Sequence, residues 1–407
     1  MDRRVVDERG CAWYRFGTLP GVASITYGVD RAGSNLQGGV PLLQAGHIND
    51  GRIRVHQPAS ISQEEHAACT RSWLHAGDVV IVLVGRVGDA AVVTPEEHDW
   101  NAARSVGVVT CTEEGRRDSI GSWVSFWLRS PAARAWCLEH SAGTARASLS
   151  VTALRDLPVP IPPTADRVRI QSLLNVIDGK KAINERIAEC AVKLADAYFA
   201  EIPATDLPWG RTPLANVARV SSGLARPTQD GQSPGVGWVT SAEVLQSAFP
   251  HLDQVARVIT ASSEHIVQPG SLLIASTPSG VQIVETLVPV IPSRGMLAVN
   301  PFYESDRVWL LHDLRARAAE LVLTAQGRQA RELSRRIFEQ QTVRWPDQAA
   351  REAFGRVAGP LHERAKLATA ENRTLDALAK AAWREMTPPK RLATRRLVAS
   401  DPEEEDN

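Results

Sequence analysis

Five cysteines are scattered along this 407-residue chain, at Cys11, Cys69, Cys111, Cys137 and Cys190, and no two form a CxxC pair or a metal-ligand spacing. That excludes a disulfide framework and a zinc knuckle, and such isolated thiols are at home in the reducing cytosol. Long apolar runs are missing too. The opening MDRRVVDERGCAWYRFG is charged and leads into no hydrophobic stretch, so neither a secretory leader nor a membrane span is expected, and the expected location is cytoplasmic. Nor does one sign of charge dominate, since 46 Lys and Arg balance 46 Asp and Glu. This argues against a simple electrostatic nucleic-acid binder. The balance is local, however: the final SDPEEEDN offsets the basic KRLATRR before it, and without that end the chain is mildly basic. Residues 389–407 read as a disordered charged tail.

Catalytic motifs are absent as well. The ten histidines form no HxxxH or HExxH, so each reads as surface or core, and no metal is expected. GRVGD, from Gly85, lacks the GK[ST] ending of a phosphate loop. Asn300 to Tyr303, NPFY, is similar to the N-P-P-[YF] loop of amino-methyltransferases but lacks its second proline. No glycine-rich turn for S-adenosylmethionine accompanies it, so it reads as a strand–loop corner. Pro346–Asp347 matches the start of a PD…ExK nuclease site without the ExK, and reads as a helix start. No cofactor is implied.

What is present is a long helix. After Ile161–Pro163, the stretch from Pro162 to Glu201 carries apolar residues at Ile170, Leu174, Ile177, Ile187, Ala191, Leu194 and Tyr198. The spacing is close to a 3.5-residue period, interrupted by Lys180, Lys181 and Asn184. About 38 residues would span roughly 57 Å, more than one domain core requires. A stripe so narrow calls for a partner helix. Sliding the chain against itself by 184 positions supplies one without a gap: Ile170 falls on Phe354, Leu174 on Ala358, Ile177 on Leu361, Leu194 on Leu378 and Phe199 on Trp383. The register also matches Gly143 with Gly327, Ser150 with Ser334, Pro162 with Pro346 and Arg167 with Arg351. A period this long means a duplicated domain plus helix.

The domains read as mixed α/β. GDVVIVLVGRVGDAAVV, from Gly77, is strand, turn, strand, and RSVGVVTC, from Arg104, adds a strand. Trp123, Trp127 and Trp136 sit at helical spacing and read as core rather than as base-stacking platforms. QPGSLLIASTPSGVQIVETLVPVI, from Gln268, repeats the plan with other letters. Shared scaffold with changed letters is what two domains with different surfaces require.

At this point the chain resembles the specificity (S) subunit of type I restriction-modification systems. The resemblance rests on ITYGVDRAGSNLQGGVPLLQAGHINDGRI from Ile25, HAGDVVIVLVGRVGDAAVV from His75, AGTARASLSVTALRDLPVPIPPTADRVRIQSLLNVID from Ala142 and ENRTLDALAKAAW from Glu371. It covers nearly everything to about Pro389. It implies two similar mixed α/β target-recognition domains separated by two long antiparallel helices, with an internal pseudo-twofold repeat. The bounds are 1–160 and 202–345 for the domains, 161–201 and 346–388 for the helices. It also implies no catalysis and these partners: double-stranded DNA, two methyltransferase (M) subunits docked on the helices, and restriction (R) subunits. Each domain would read half of a bipartite asymmetric site, the helix pair acting as a ruler near one DNA turn, about 34 Å. One departure stands out. Gly359 and Pro360 fall inside the second helix, where a proline costs about 3 kcal/mol, so a kink or break is expected there.

Contacts to DNA are expected from loops, with Arg to guanine and Asn or Gln to adenine. The candidates are Arg31, Asn35, Gln44, Arg86, Arg104 and Arg146 in the first domain and Arg226, Gln229, Ser279, Gln282 and Arg294 in the second. Each is also what a solvated surface residue looks like. The helix-pairing candidates are Ile170, Leu174, Ile177 and Leu194 against Phe354, Leu361 and Leu378. Zero net charge keeps a second reading open, a non-catalytic adaptor of another DNA-defence complex.

Overall fold

The computed structural model describes residues 5–8, 10–30, 36–143, 146–202, 210–225, 235–260, 265–277, 280–324 and 333–386. They form two compact units, one taking the residues up to Gly179 together with those from Leu375, the other running from Lys180 to Thr374. Among the described residues no helix is long and apolar enough to cross a membrane.

In the first unit a four-stranded sheet is ordered β1 (Val22–Tyr27), β4 (Val106–Cys111), β2 (Val79–Val82), β3 (Ala90–Val92), all neighbours antiparallel. The run VVIV of β2 is buried on both faces. Val79 and Ile81 enter one core with Trp123 and Trp127, while Val80 and Val82 enter another with Leu43 and Ile48, because successive side chains alternate across a strand. Helix α1 (Ile120–Leu128) covers the first of these cores, and its Trp123 Nε1 donates to Pro160 O at 2.6 Å. The expectation that these tryptophans are core holds for Trp123 and Trp127; Trp136 is half-buried and stacks on His140.

The second unit repeats this plan. Its sheet is ordered β5 (Ala218–Ser222), β9 (Leu297–Pro301), β7 (Leu272–Thr277), β8 (Gly280–Thr286), β6 (His251–Leu252). Leu272 and Ile274 enter one core, Leu273 and Ala275 another. In α3 (Arg307–Ala316), Trp309 Nε1 donates to Arg344 O at 2.8 Å, the bond that Trp123 makes to Pro160. Two glycines show how close the correspondence is. A Cβ on Gly28 would stand 2.2 Å from the carbonyl oxygens of Ala102 and Ala103, and one on Gly223 would stand 2.0 Å from Ser293 O, so only glycine fits either crossing.

The first long helix, α2 (Thr164–Ala200), has 37 residues and the second, α4 (Gln348–Met386), has 39. Asp347 caps α4, its carboxylate accepting from the Ala350 N–H at 2.8 Å, as a helix start should. Expected breakage at Pro360 does not occur: the helix is continuous through it. Pro360 and Arg356 are both exposed, so the ring faces solvent and the carbonyl that loses its donor can turn to water, while Ala358 and Leu361 stay packed.

Within the first unit, Leu174 and Ile177 of α2 and Trp383 of α4 join the core, with Ile170, Leu375 and Ala379 packed beside them. Within the second, Ala188, Ala191 and Val192 meet Ala365 and Ala368, and Phe199 meets Phe354 with ring centroids 5.2 Å apart. Asn184 bonds Glu371 and Asn372 in the same unit, so rising numbers meet falling ones and the helices are antiparallel there. Leu194 and Leu378 do not lie in the seam; they are 58% and 48% exposed. The buried row of α2 runs through Leu174, Ile177, Lys181, Asn184, Ala188, Ala191, Ala195 and Phe199; Ala191 is where the stripe puts it, while Ala188, Ala195 and Phe199 are buried beside the expected Ile187, Leu194 and Tyr198. Small side chains let two helices approach closely.

The polar break in the stripe sets the register. Asn184 is fully buried; its amide donates to Glu371 Oε2 and Asn372 Oδ1, each at 2.9 Å, and its carbonyl accepts from Lys180 Nζ at 3.0 Å. The Lys180 ammonium and the Asn184 amide hold the Glu371 carboxyl below the usual range. A buried amide satisfied at one register only is a known way to specify helix pairing.

Candidate nucleic-acid interface

In the first unit, three loops are tied together at one end of the sheet. Leu83, just past β2, accepts from Leu149 N–H and donates its own N–H to Ser105 O, both at 2.8 Å; Gly85 N–H donates to Ala147 O at 2.8 Å. The strand Val40–Leu43 ends here too, since Ala103 N–H donates to Leu43 O at 2.8 Å. These bonds gather Gln44, Arg86, Arg104 and Arg146, which lie up to 102 positions apart in the chain.

Arg86 occupies the turn between β2 and β3. Its Nη2 donates to Ile48 O at 2.6 Å and its Nε lies 3.0 Å from Asp89 Oδ2. Arg134, in the helix Pro131–Glu139, reaches the other oxygen of Asp89 at 2.8 Å. One nearly buried carboxylate therefore orients two guanidinium groups whose side chains remain 54% and 46% exposed. Arg104 is exposed, 2.6 Å from Asp30 and over the Tyr27 ring at 5.9 Å. Arg146 is exposed, and its guanidinium lies beside Gly85, whose φ of +94° favours glycine. Gln44 is half-buried, its N–H donating to His47 Nδ1 at 3.1 Å. Partly exposed guanidinium groups of this kind can engage phosphate or guanine edges with the donors their carboxylate partners leave free.

The second unit presents the corresponding turns. Leu224 N–H donates to Pro292 O and Ser293 N–H to Val239 O, as Val29 does to Ala102 and Ala103 to Leu43. Arg294 thereby stands where Arg104 stands in the first unit, and it is exposed. The strands β7 and β8 pair from Leu272 to Glu285, as β2 and β3 pair from Val79 to Val92, so Gln282 corresponds to Asp89. Gln282 is on a strand rather than a loop; its amide donates to Ser247 O at 3.1 Å, a structural bond. Arg31, Asn35, Arg226, Gln229 and Ser279 lie outside the described residues.

Two groups escaped the reading of the sequence. Arg134 sits on a helix, and a search of loops passes over it. The buried histidines His251, His312 and His362 approach one another from three elements, although no spacing in the chain joins them. Among the described residues no set of three or more His, Cys, Asp or Glu is arranged to hold a metal ion. The cysteines are free, and burial pushes the Cys11 and Cys137 thiols up to about 12.

No family model matches the chain. A curated relative, the Type I restriction enzyme EcoBI specificity subunit of Escherichia coli, is 26% identical over 189 residues, covering 44% of this chain and 39% of that protein. The chain thus spans about two fifths of the length of the curated relative it matches. Among solved structures, the type I restriction-modification system S subunit from M. genitalium matches with a TM-score of 0.54 at 11% identity, over 94% of this chain and 97% of that one. The HsdS subunit from Thermoanaerobacter tengcongensis matches at 0.35 and 16% identity, over 93% and 96%. The resemblance read from the sequence is met by the curated relative, and the chain has the fold of the M. genitalium structure.

Proposed function

We propose that this chain is the DNA-reading, non-catalytic specificity subunit of a type I restriction-modification complex, each globular domain reading one half of a bipartite, asymmetric site in double-stranded DNA. The observation that carries it is the pair of like-folded domains that keep an arginine on one matching turn, Arg104 and Arg294, and differ beside it. Asp89 orients Arg86 and Arg134 in one domain, whereas the corresponding residue of the other is Gln282, a strand residue whose amide is held by Ser247. Equal scaffolds with unequal reading edges suit a site whose halves differ.

The test is DNA binding by the reconstituted complex. Arg86→Ala and Arg134→Ala are each expected to cost about 1–3 kcal/mol and to relax positions in one half-site only. Arg294→Ala is expected to act on the other half. Gln282→Ala is expected to leave sequence choice unchanged, because its amide is spent on Ser247. If the complex with the unaltered chain binds no particular sequence, the adaptor reading takes its place.

The helices carry the partner reading. Outside the seam, exposed apolar residues recur at repeat-related positions: Leu173 with Val357, Ile183 with Leu367, Leu194 with Leu378. Two equivalent apolar faces suit two copies of one protein, here the methyltransferase subunit, with restriction subunits joining that assembly. Native mass spectrometry is expected to show one methyltransferase copy lost with Ile183→Asp, one with Leu367→Asp, and both with the double variant. Retention of both copies by the double variant refutes this placement.

A further inference from the structure

In the second unit the globular part meets the long helices through a row of titratable side chains. His251 Nε2 of β6 lies 2.9 Å from His362 Nδ1 of α4. His362 Nε2 lies 2.8 Å from His312 Nε2 of α3, and His312 Nδ1 faces Asp196 Oδ1 of α2 at 2.9 Å. All three rings are buried. The other charges around the row are paired. Arg315 holds the second Asp196 oxygen at 2.9 Å, and at the opposite end Glu285 lies between Arg307 Nε at 3.1 Å and Lys366 Nζ at 3.0 Å.

Each nitrogen-to-nitrogen contact accommodates a single proton. With Asp196 ionised, three neutral imidazoles satisfy the row in one direction: His312 Nδ1–H points to Asp196, His362 Nε2–H to His312, and His251 Nε2–H to His362. Of the three unprotonated nitrogens, His312 Nε2 and His362 Nδ1 accept from the next ring, and His251 Nδ1 is buried with no hydrogen-bond partner among the described residues. A further proton there creates a buried cation in a neighbourhood that already holds Lys366, Arg307 and Arg315.

The first unit differs at the same places. By the 184-residue repeat, Asp178 occupies the position of His362. Aligning the two core tryptophans puts Phe126 at the place of His312 and Arg129 at that of Arg315. There the junction is an arginine–carboxylate pair, Arg129 to Asp178 at 2.6 and 3.3 Å, reinforced by Arg52 on the Asp178 carbonyl. Histidine is the side chain whose ordinary titration falls between pH 5 and 8, and this junction contains none.

We propose that the histidine row is an acid-released latch: mild acid frees the globular part of the second unit from the long helices, while the first unit stays docked. The inference stands apart from the DNA-reading assignment. Burial, added to by the cations nearby, lowers His251 to about 3, and burial with the adjoining rings lowers His362 to about 2. Released histidines return to about 6.5, so the released state binds more protons below that value. The stability of the closed state is therefore fully present above about pH 6.5 and declines as pH falls. Each histidine contributes about a tenfold rise in opening per pH unit below 6.5, about a hundredfold for two.

Hydrogen exchange of the full chain at pH 7.5 and 5.5, with times scaled for intrinsic amide chemistry, tests this. The expected result is opening of α3 and β8 increased by about two orders of magnitude at the lower pH, with α1 unchanged. His362→Gln keeps a donor and an acceptor but cannot titrate, and it is expected to reduce the pH slope to about tenfold per unit. Unchanged protection in α3, or equal loosening of α1 and α3, overturns the proposal. So does a folded His362→Gln variant with the slope of the unaltered chain. If that variant fails to fold, the comparison of α1 with α3 in the unaltered chain decides alone.

Discussion

Trp383→Ala is expected to destabilise the first unit by about 3–5 kcal/mol, the range for removing a large aromatic from a packed core. Trp383 is 5% exposed, with its ring centroid 5.7 Å from that of Trp123 and 5.8 Å from that of Trp127. Trp127 in turn meets Trp13 edge to face at 5.8 Å. The edge-to-face geometry adds to the area term, and the neighbours cannot collapse into the space, because Trp123 and Trp127 are pinned by their bonds to Pro160 and Pro158. Urea denaturation followed by circular dichroism, with exchange protection of α1 as a local readout, checks this. A loss below about 1 kcal/mol would mean that the end of α4 merely lies on the first unit. Phe199 is the repeat mate of Trp383 and packs on Trp309 at 5.0 Å.

The second large effect is expected from Arg351→Ala in the second unit. Arg351 Nε lies 2.7 Å from Asp306 Oδ1, with side-chain exposures of 11% and 3%, and its guanidinium also stacks on Trp345 at 4.3 Å. Truncating the arginine strands a buried carboxylate, which costs about 3–5 kcal/mol, far more than loss of a surface pair. Adding Asp306→Asn removes the stranded charge and is expected to restore more than half of the loss. Denaturant midpoints of the two single variants and the double measure the coupling. If Arg351→Ala and the double variant are equally unstable, packing on Trp345 rather than the charge pair holds the start of α4.

Much of the architecture was legible before any coordinates. The gap-free period of 184 positions, the apolar stripe from Ile170 to Ile177, the strand–turn–strand unit after Gly77 and the helical spacing of Trp123 and Trp127 are all local patterns. Local pattern is what backbone geometry imposes on sequence, with a period near 3.6 for a helix and 2 for a strand. Arg104 and Arg294, chosen separately as loop arginines, fall on matching turns.

Other features were beyond the reach of periodicity. Leu194 follows Ala191 by three residues and fits a 3.5-residue stripe, but the seam takes the four-residue step from Ala191 to Ala195, and a local choice between steps of three and four is not fixed by the period. Pro360 looked like a break because its cost is local; the packing of Ala358, Leu361 and Ala365 that outweighs it is not. The chain by itself determined that there are two alike domains, two long helices and an apolar reason for the helices to pair. Only the tertiary structure decided that Trp383 completes a core begun at Cys11, that Asp89 orients Arg86 and Arg134, and that three histidines with no common spacing form one row against Asp196. The physical reason is that each of these depends on which surfaces meet after the chain has closed on itself, and meeting surfaces leave no period in the sequence.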